Sequence, residues 1–331
     1  MIRRATTSFL AAALWSLTPA QAWALDQTPD REDAQDASPW ALALGVAGDR
    51  KSAYGFTSSL GWDVWRATTL HAGAHATQYM GDLTQANPGV SRSLAASGGV
   101  TQRFGRFALD VTLNHWQITH LVKANEFRFG GEATVGSFSG GLRGGFRKST
   151  FASFESSAVL DLGGGPQLTP VTAGCKGKDT SWGADARYQG RVWGAHSSLT
   201  KYTYGDTTCK LYPAGGTGVS RNLNGSEFAV LASAPLGRLQ NIAMPVIGAQ
   251  ETLANSIVQG GFSWKHKDLG IAIDYLRQRD HFVGNLGKAY FITGTADLGE
   301  GTAVEATVGD TRGAGSTARG VFAGIGVRAR F

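Results

Sequence analysis

Residues 107–114 read Phe-Ala-Leu-Asp-Val-Thr-Leu-Asn, so a large apolar side chain alternates with a small or polar one. Successive side chains of a β-strand point to opposite faces, and this period of two therefore predicts a strand with one apolar and one polar face. The same alternation recurs from Trp40 onward, for example at 40–47, 54–64 and 303–308. The sequence predicts an all-β protein.

Two architectures produce this alternation: a soluble β-sandwich with its apolar face inward, and a membrane β-barrel with its apolar face toward lipid. The predicted strands favour the barrel because they run for roughly 10–14 residues, whereas a tilted membrane strand needs about 9–11 and soluble strands average about 5–6. Their polar face is rich in Gly, Ser and Thr rather than in Lys and Glu. Tryptophans fall mostly near predicted strand ends, as in the aromatic girdle of a membrane barrel: Trp40, Trp62, Trp65, Trp116, Trp182, Trp193 and Trp264.

The composition agrees with many strands that face something other than water. Charged residues make up only 17% of the chain, which contains 46 glycines and 9 prolines. From Trp40 onward there is no apolar run of about 18 residues, so membrane-spanning helices are excluded. The formal charge of +6 is modest and no clustered basic face is apparent, so we expect no nucleic-acid partner.

The last strand carries the most specific pattern. Apolar and small residues alternate with others at Val321, Ala323, Ile325, Val327, Ala329 and Phe331. This segment resembles the C-terminal strand of Gram-negative outer-membrane β-barrel proteins, which commonly ends in Phe. The resemblance implies that Phe331 is part of an assembly signal read by the barrel-assembly machinery. It extends, through the alternation, to a porin-like barrel without identifying a particular family.

The N-terminal segment predicts export. Residues 1–24 have a basic start at Arg3 and Arg4, a short apolar stretch and small-residue cleavage options, as in a secretory signal peptide. Residues 25–38 are acidic, and we interpret them as a disordered lead-in. The expected domain is a single transmembrane β-barrel over 39–331, located in the bacterial outer membrane.

Short turns divide the barrel into about 14 antiparallel strands, within a range of 12–16. Two long external loops follow, at 149–180 and 205–254. Residues 151–162 and 226–235 also alternate, and 16 strands would result if both crossed the membrane. We prefer 14 and expect these two segments to be hairpin arms above the membrane or folded into the mouth. The predicted spans are 40–48, 53–65, 67–79, 91–104, 107–120, 125–136, 138–148, 181–190, 191–204, 255–266, 270–281, 288–298, 302–311 and 319–331.

The two cysteines, Cys175 and Cys209, lie one in each long loop. In an exported protein an even pair favours a disulfide. The loops flank the predicted hairpin 181–204, which brings their bases close together. A bond between Cys175 and Cys209 closes a loop of about 34 residues, which would stabilise the fold by roughly 3–4 kcal/mol in the chain-entropy model.

The polar faces supply the candidate functional residues. Both signs of charge occur there, so the residues can select solutes or form structural salt bridges, and the sequence leaves both interpretations open. The predicted pore-lining residues are Asp63, His71, His75, Asp110, Lys265, Asp274, Glu305, Arg328 and Arg330.

A weaker candidate is a nucleophile with a base, since His196 and Ser198 share one face of a strand. This spacing is similar to that in outer-membrane phospholipases and lipid A deacylases, where the resemblance implies His as base and Ser as nucleophile. No Asn follows Ser198, and the shared face is the one assigned to the lumen. The sequence therefore leaves catalysis undecided and favours a non-enzymatic barrel, with no cofactor and no metal site.

We expect a channel or transporter for small hydrophilic solutes. The alternatives are a surface adhesion or structural barrel and a lipid-modifying hydrolase. Expected partners are outer-membrane lipid, lipopolysaccharide, the barrel-assembly machinery and a small solute.

Overall fold

The computed structural model describes residues 39–49, 53–65, 67–79, 92–118, 122–161, 165–214, 216–231, 254–280, 286–299, 301–312 and 319–331. The predicted signal peptide and acidic lead-in lie outside the described residues. None of the helices in the described part of the chain is long and apolar enough to cross a membrane.

The described residues form sixteen strands and one short helix. In chain order they are β1 Trp40–Asp49, β2 Ala53–Trp65, β3 Thr68–Tyr79, β4 Arg92–Phe104, β5 Phe107–Ile118, β6 Val122–Val135, β7 Phe138–Asp161, β8 Pro166–Gln189, β9 Trp193–Tyr204, β10 Thr207–Pro213, β11 Val219–Leu223, α1 Gly225–Leu231, β12 Ala254–His266, β13 Leu269–Asp280, β14 Leu286–Gly299, β15 Thr302–Arg312 and β16 Arg319–Arg330.

Fourteen of these strands close into an antiparallel barrel. Each of β1 to β9 pairs with the next, β9 pairs with β12, β12 to β16 continue the series, and β16 pairs with β1. Strands β10 and β11 add to the sheet beside the far part of β8 and do not take part in closure. The predicted all-β barrel of 14 strands is confirmed, and the alternative of 16 spanning strands is wrong.

The two faces of the wall differ sharply. Leu113 on β5 is 62% exposed on the outer face, whereas its neighbour Thr112 is 1% exposed on the inner face. Leu142 on β7, also on the outer face, is 72% exposed. A closed sheet with an apolar exterior and a polar interior satisfies all its backbone hydrogen bonds without water, which is the architecture of an outer-membrane β-barrel.

The tight turns that join β4 to β5, β6 to β7 and β12 to β13 lie at one end, which we call the periplasmic end because short turns face the periplasm in such barrels. Gly105 and Gly136 occupy two of them with positive φ, a conformation that glycine adopts without strain. Phe331 and Trp40 meet at this end through a backbone hydrogen bond of 3.2 Å. The opposite, extracellular end carries the long connections.

Aromatic side chains ring the outer face at the periplasmic end. Trp40 stacks on Trp62 with ring centroids 4.9 Å apart, and Tyr188 contacts Trp193 at 4.4 Å. Trp65 and Trp264 are exposed at the same end, and Trp182 is exposed nearer the extracellular end. These residues agree with the predicted girdle.

Trp116 is an exception to the predicted girdle. It shares the inner face of β5 with Thr112 and is only 4% exposed. Trp116 follows Asn114 by two residues, so its side chain points to the same inner face and not toward lipid.

The extracellular end carries a small structure of its own. Residues 149–180 were expected to be an external loop in which 151–162 forms a hairpin arm. They continue β7 and β8 as a hairpin beyond the barrel, with a register shift between Phe151 and Phe154. Strands β10 and β11 widen this sheet. The Cys175–Cys209 disulfide joins β8 to β10, where the two residues pair directly in the register, so the predicted bond is confirmed.

Residues 226–235 were expected to be a hairpin arm, and for residues 226–231 this is wrong, because they belong to helix α1. Its first turn is closed by a reciprocal pair of hydrogen bonds: the Glu227 amide donates to the Asn224 side chain at 3.0 Å, and the Asn224 amide donates to the Glu227 carboxylate at 2.9 Å. Such a capping box satisfies amides that the start of a helix leaves free.

Candidate functional site

The strand register places all nine predicted pore-lining residues on the inner face of the barrel wall. They come from seven different strands. In each strand, the alternation of apolar and polar residues in the sequence was sufficient to assign them to the inner face. They are Asp63, His71, His75, Asp110, Lys265, Asp274, Glu305, Arg328 and Arg330. The register also shows which of them meet, and their role in passing a solute stays a prediction.

Asp63 and Arg330 form one pair near the periplasmic end. Arg330 Nη2 lies 3.5 Å from Asp63 Oδ2, and Thr69 donates a hydrogen bond of 2.6 Å to Asp63 Oδ1. Both charged side chains remain partly exposed, at 22% and 18%. This pair joins the last strand to β2 across β1 at the barrel seam.

His71 and Asp110 form a second group on β3 and β5. Thr101 and Thr112 donate hydrogen bonds of 3.0 and 2.9 Å to the two carboxylate oxygens of Asp110. His71 Nε2 lies 3.2 Å from the Thr112 hydroxyl and 3.8 Å from Asp110 Oδ2. His75, four residues after His71 on β3, contacts the hydroxyl of Thr77 instead, so the two histidines do not form a common site.

Asp274 pairs with His196, the weak catalytic candidate. His196 Nε2 lies 3.1 Å from Asp274 Oδ1, and the two residues face each other across Gly261. Ser198 is on the same inner face of β9, two residues farther along. Among the described residues no hydrogen bond joins Ser198 to His196, so the structure supplies an acid and a base without an aligned nucleophile.

Glu305 and Arg328 form a pair on β15 and β16, with Arg328 Nη1 3.9 Å from Glu305 Oε1. The Glu305 side chain is 1% exposed and that of Arg328 is 7% exposed. Nearby, Lys265, Asp297 and Arg328 line a recess of about 550 Å³, a volume that includes space open to solvent. Charged groups of both signs therefore line the same cavity in the wall.

One of the most deeply buried charges was not among the predicted site residues. Arg147 Nε donates to both carboxylate oxygens of Asp179, at 2.9 and 3.1 Å, and its Nη2 donates to the Tyr204 hydroxyl at 3.4 Å. The guanidinium also lies 4.8 Å above the ring of Tyr202. The parity of β7 assigns Arg147 to the inner face, and this signal was present in the sequence.

Two further pairs occupy the same side of the wall. Arg128 Nη2 lies 2.8 Å from Glu126 Oε2 on β6, and Arg143 Nη2 lies 3.7 Å from Asp185 Oδ1 between β7 and β8. Opposite charges are thus close together at successive points around the circumference. Such pairing lets the wall carry charge in a poorly solvated interior, because each group has a counter-charge.

An apolar cluster lies on the inner face at the extracellular mouth, above these pairs. Phe228 of α1 is fully buried and contacts Phe151 with ring centroids 4.8 Å apart. The Ser156 hydroxyl donates to the Leu231 carbonyl at the end of the helix at 2.5 Å. The helix is thus held over the inner face of the β7–β8 hairpin. Buried members of this mouth cluster are Trp116, Val122, Ala124, Phe151, Leu160, Val171, Ala173, Cys175, Cys209, Leu211, Leu223, Phe228 and Leu231.

Among the described residues, no group of three or more His, Cys, Asp or Glu is placed to hold a metal ion. The inner wall is a polar surface of paired charges, and the mouth cluster lies on one side of its extracellular end.

No protein-family model matches the chain, and no curated protein sequence matches it. Among solved structures, the monoaromatic hydrocarbon channel CymD aligns over 90% of both chains with 10% identity and a TM-score of 0.49. The Pseudomonas putida toluene transporter TodX aligns over 88% of both chains with 12% identity and a TM-score of 0.47. The KdgM porin aligns over 88% of this chain and 99% of its own, with 6% identity and a TM-score of 0.40. With its closed 14-stranded sheet, apolar exterior and polar interior, this chain has the fold of an outer-membrane β-barrel.

Proposed function

We propose that the barrel is a channel for small hydrophilic solutes across the outer membrane. The observation that carries this proposal is the inner wall, which presents charged and hydroxyl groups from the Asp63–Arg330 pair at the periplasmic end to the Arg147–Asp179 pair near the mouth. A barrel of 14 strands is wider than the 8-stranded barrels whose interiors are filled by their own side chains.

The pairing of charges bears on which solutes pass. Ion selectivity arises where one sign dominates a ring of side chains. Here most of the buried acidic groups have a basic neighbour within 4 Å, as in the Glu305–Arg328 and His196–Asp274 pairs. The channel would therefore discriminate weakly between ions and accept uncharged or zwitterionic solutes.

Conductance measurement tests the proposal. The mature protein, refolded in detergent and added to a planar lipid bilayer, is expected to give discrete conductance steps with a modest cation-to-anion permeability ratio. Liposome swelling with sugars of increasing mass would then give the size limit. A folded, heat-modifiable protein that produces neither conductance nor swelling would contradict the channel.

A surface-binding barrel is the second candidate, and the extracellular structure supports it. The extended β7–β8 hairpin, β10, β11 and α1 share a buried core with the extracellular ends of β5 and β6, and the Cys175–Cys209 bond ties β8 to β10. A packed, disulfide-linked platform of this kind suits contact with a partner outside the cell. Protein that lacks conductance but adheres to host or bacterial surfaces, and loses adhesion when this structure is shaved by protease, would favour the second candidate.

The hydrolase alternative has narrower support. The His196–Asp274 contact of 3.1 Å would orient an imidazole base, but both residues lie inside the barrel, away from lipid. Ester hydrolysis that Ser198→Ala abolishes, with unchanged folding, would establish catalysis. Activity that survives this substitution would exclude Ser198 as the nucleophile.

A further inference from the structure

The outer face of the barrel is chemically asymmetric between its two ends. At the periplasmic end it carries aromatic rings such as Trp40, Trp62 and Trp193. At the extracellular end it carries lysine and arginine. Among the strand residues of the closed barrel whose side chains the structure describes, every outward Lys and Arg lies at this extracellular end. They are Arg92, Lys123, Lys148, Lys176, Lys178, Lys201, Arg277, Arg279, Lys288 and Arg312.

The densest part of this set is a group of five lysines on the neighbouring strands β6, β7, β8 and β9. We call Lys123, Lys148, Lys176, Lys178 and Lys201 the lysine patch; all five are exposed. Lys148 and Lys178 are directly opposite each other in the β7–β8 register. Like charges placed opposite one another in a sheet destabilise it. An anion bound beside the two lysines would offset this repulsion.

The height of the lysine patch matches the edge of a membrane. On the outer face of β7, ten residues separate Phe138 at the periplasmic rim from Lys148. At about 3.3 Å per residue and a tilt of about 40°, that distance is roughly 25 Å along the membrane normal, the usual height of the apolar band. Phe146, just below the patch on β7, is 59% exposed, and Trp182, opposite Lys201 in the β8–β9 register, is 51% exposed.

Acidic side chains do not neutralise the lysine patch. Asp179 and Glu126, which neighbour it in sequence, point to the inner face, where they pair with Arg147 and Arg128. In the part of the chain that the structure describes, no salt bridge joins a patch lysine to a carboxylate. The patch therefore presents several positive charges toward the headgroup layer.

We propose that the lysine patch binds the phosphate groups of a phosphorylated saccharide lipid in the outer leaflet, that is, lipopolysaccharide. Lysine stems lie along the apolar wall while their ammonium groups reach the headgroup level. Because lipopolysaccharide is confined to the outer leaflet, it explains why the outward basic residues are confined to the extracellular end. A phospholipid ligand is present in the inner leaflet too, and it would not explain this asymmetry. This binding is independent of whether the barrel conducts.

Several basic residues at the periplasmic end provide a matched control. Arg106 and Arg191 lie in the short turns there, are exposed, and are two charges that can be removed without touching the patch. The double variant Arg106→Gln/Arg191→Gln thus loses the same net charge as Lys148→Gln/Lys178→Gln. Both variants keep the strand residues of the apolar band and should fold.

The test measures lipid binding by the full mature chain, refolded in detergent, with native mass spectrometry and titration. The probes are bisphosphorylated lipid A, its dephosphorylated form and inorganic pyrophosphate. A lysine near an anionic lipid surface contributes about fivefold in affinity, so the patch variant should bind bisphosphorylated lipid A roughly 10- to 30-fold more weakly than wild type. The control variant should bind as wild type does, and the dephosphorylated lipid should not distinguish the three proteins.

Equal affinity of the patch variant and wild type for bisphosphorylated lipid A would overturn the proposal. An equal loss in the control variant would overturn it too, since net charge rather than position would then matter. Displacement of the lipid by pyrophosphate at similar concentration would show a site for free phosphate instead. Heat-modifiable migration of each variant, measured in parallel, identifies a loss that comes from misfolding.

Discussion

At the scale of the residue, the inner wall depends on how buried charges are matched. Arg147 and Asp179 are 1% and 3% exposed, and the guanidinium also contacts two tyrosines. Removing one partner of such a pair leaves the other buried without a counter-charge, which costs more than the pair itself contributes. Substitution of Arg147 or Asp179 alone should therefore destabilise the folded barrel.

We expect Arg147→Met to lower the free energy of unfolding by about 3–5 kcal/mol, because Asp179 is then a buried, unpaired carboxylate. The double variant Arg147→Met/Asp179→Leu should recover a large part of that loss. Urea unfolding in detergent micelles, followed by tryptophan fluorescence, measures both. A double variant as unstable as the single one would show that the tyrosine contacts, not the charge pairing, hold Arg147.

Arg312 provides the matched comparison on the outer face. Its side chain is 60% exposed, and its Nε lies 3.7 Å from Asp310. A solvated pair of this kind contributes about 0–1 kcal/mol. Arg312→Met should therefore leave the unfolding midpoint almost unchanged.

The face of most residues was predictable from sequence, whereas their partners were not. The period of two assigns His196 and Asp274 to the inner wall from each strand separately. Their contact depends on the registers of both with β12, a strand between them that pairs through Gly261. Sequence alternation contains no information on this offset, so the pair appears only in the folded barrel.

At the scale of the element, sequence predicted the spanning strands well and the extracellular structure poorly. The observed β5, Phe107–Ile118, differs from its predicted span only at one end. By contrast, β7 does not stop near residue 148 but runs to Asp161. Hydrogen bonding continues past the membrane, while the pattern changes at the register shift near Phe151.

Helix α1 shows how a short alternation can mislead. Phe228 and Val230 alternate as in a strand, yet Asn224 and Glu227 have the spacing of a capping box, which indicates a helix start. Burial decides between the two: Phe228 is 0% exposed and Val230 is 74% exposed, a one-sided helix.

The packing of α1 predicts a change at the mouth. Phe228→Ala removes a buried aromatic ring from the mouth cluster and should cost about 3–5 kcal/mol locally. With the helix released, we expect single-channel conductance to rise or to fluctuate more. Val230→Ala, at an exposed position of the same helix, serves as the control and should conduct as wild type does. Unchanged conductance in Phe228→Ala would show that α1 does not narrow the path.

The disulfide affects the extracellular structure rather than the barrel. Replacing Cys175 and Cys209 together by Ala removes a bond that closes 34 residues of sequence, at a cost of roughly 3–4 kcal/mol. We expect faster protease cleavage between β8 and β11, with heat-modifiable migration of the barrel retained. Reduction of the wild type should reproduce this cleavage pattern. Loss of the barrel itself in the double variant would show that closure depends on the bond.

At the scale of the whole molecule, the apolar outer face determines that lipid rather than water surrounds the barrel. Leu142 is 72% exposed near the middle of the apolar band on β7. An arginine at the midplane of such a barrel costs about 2–4 kcal/mol, and much less near the interface. Leu142→Arg should therefore fold poorly into lipid vesicles, whereas Thr150→Arg, on the same face at the level of the lysine patch, should fold far better than Leu142→Arg even though Lys123 and Lys176 flank it. Folding of Leu142→Arg as efficient as that of Thr150→Arg would contradict a lipid-facing wall at Leu142.

The charged side chains of the inner wall determine which ions the proposed channel favours. Lys265 projects from the inner face of β12 into the recess that Asp297 and Arg328 also line. Lys265→Glu changes the local charge by two units, so the wall there becomes acidic and should favour cations. The measurement is the reversal potential across a salt gradient in planar bilayers, which should shift toward cation selectivity.

Lys288→Glu makes the same change of charge on the outer face of β14, where the side chain is exposed outside the barrel. This control should leave the reversal potential close to that of wild type, because the lipid headgroups and not the permeating ions meet that position. If both variants shift the potential equally, ions respond to the overall charge of the protein and the recess is not on their path. A shift confined to Lys265→Glu would place the conducting path along the inner wall between β12 and β16.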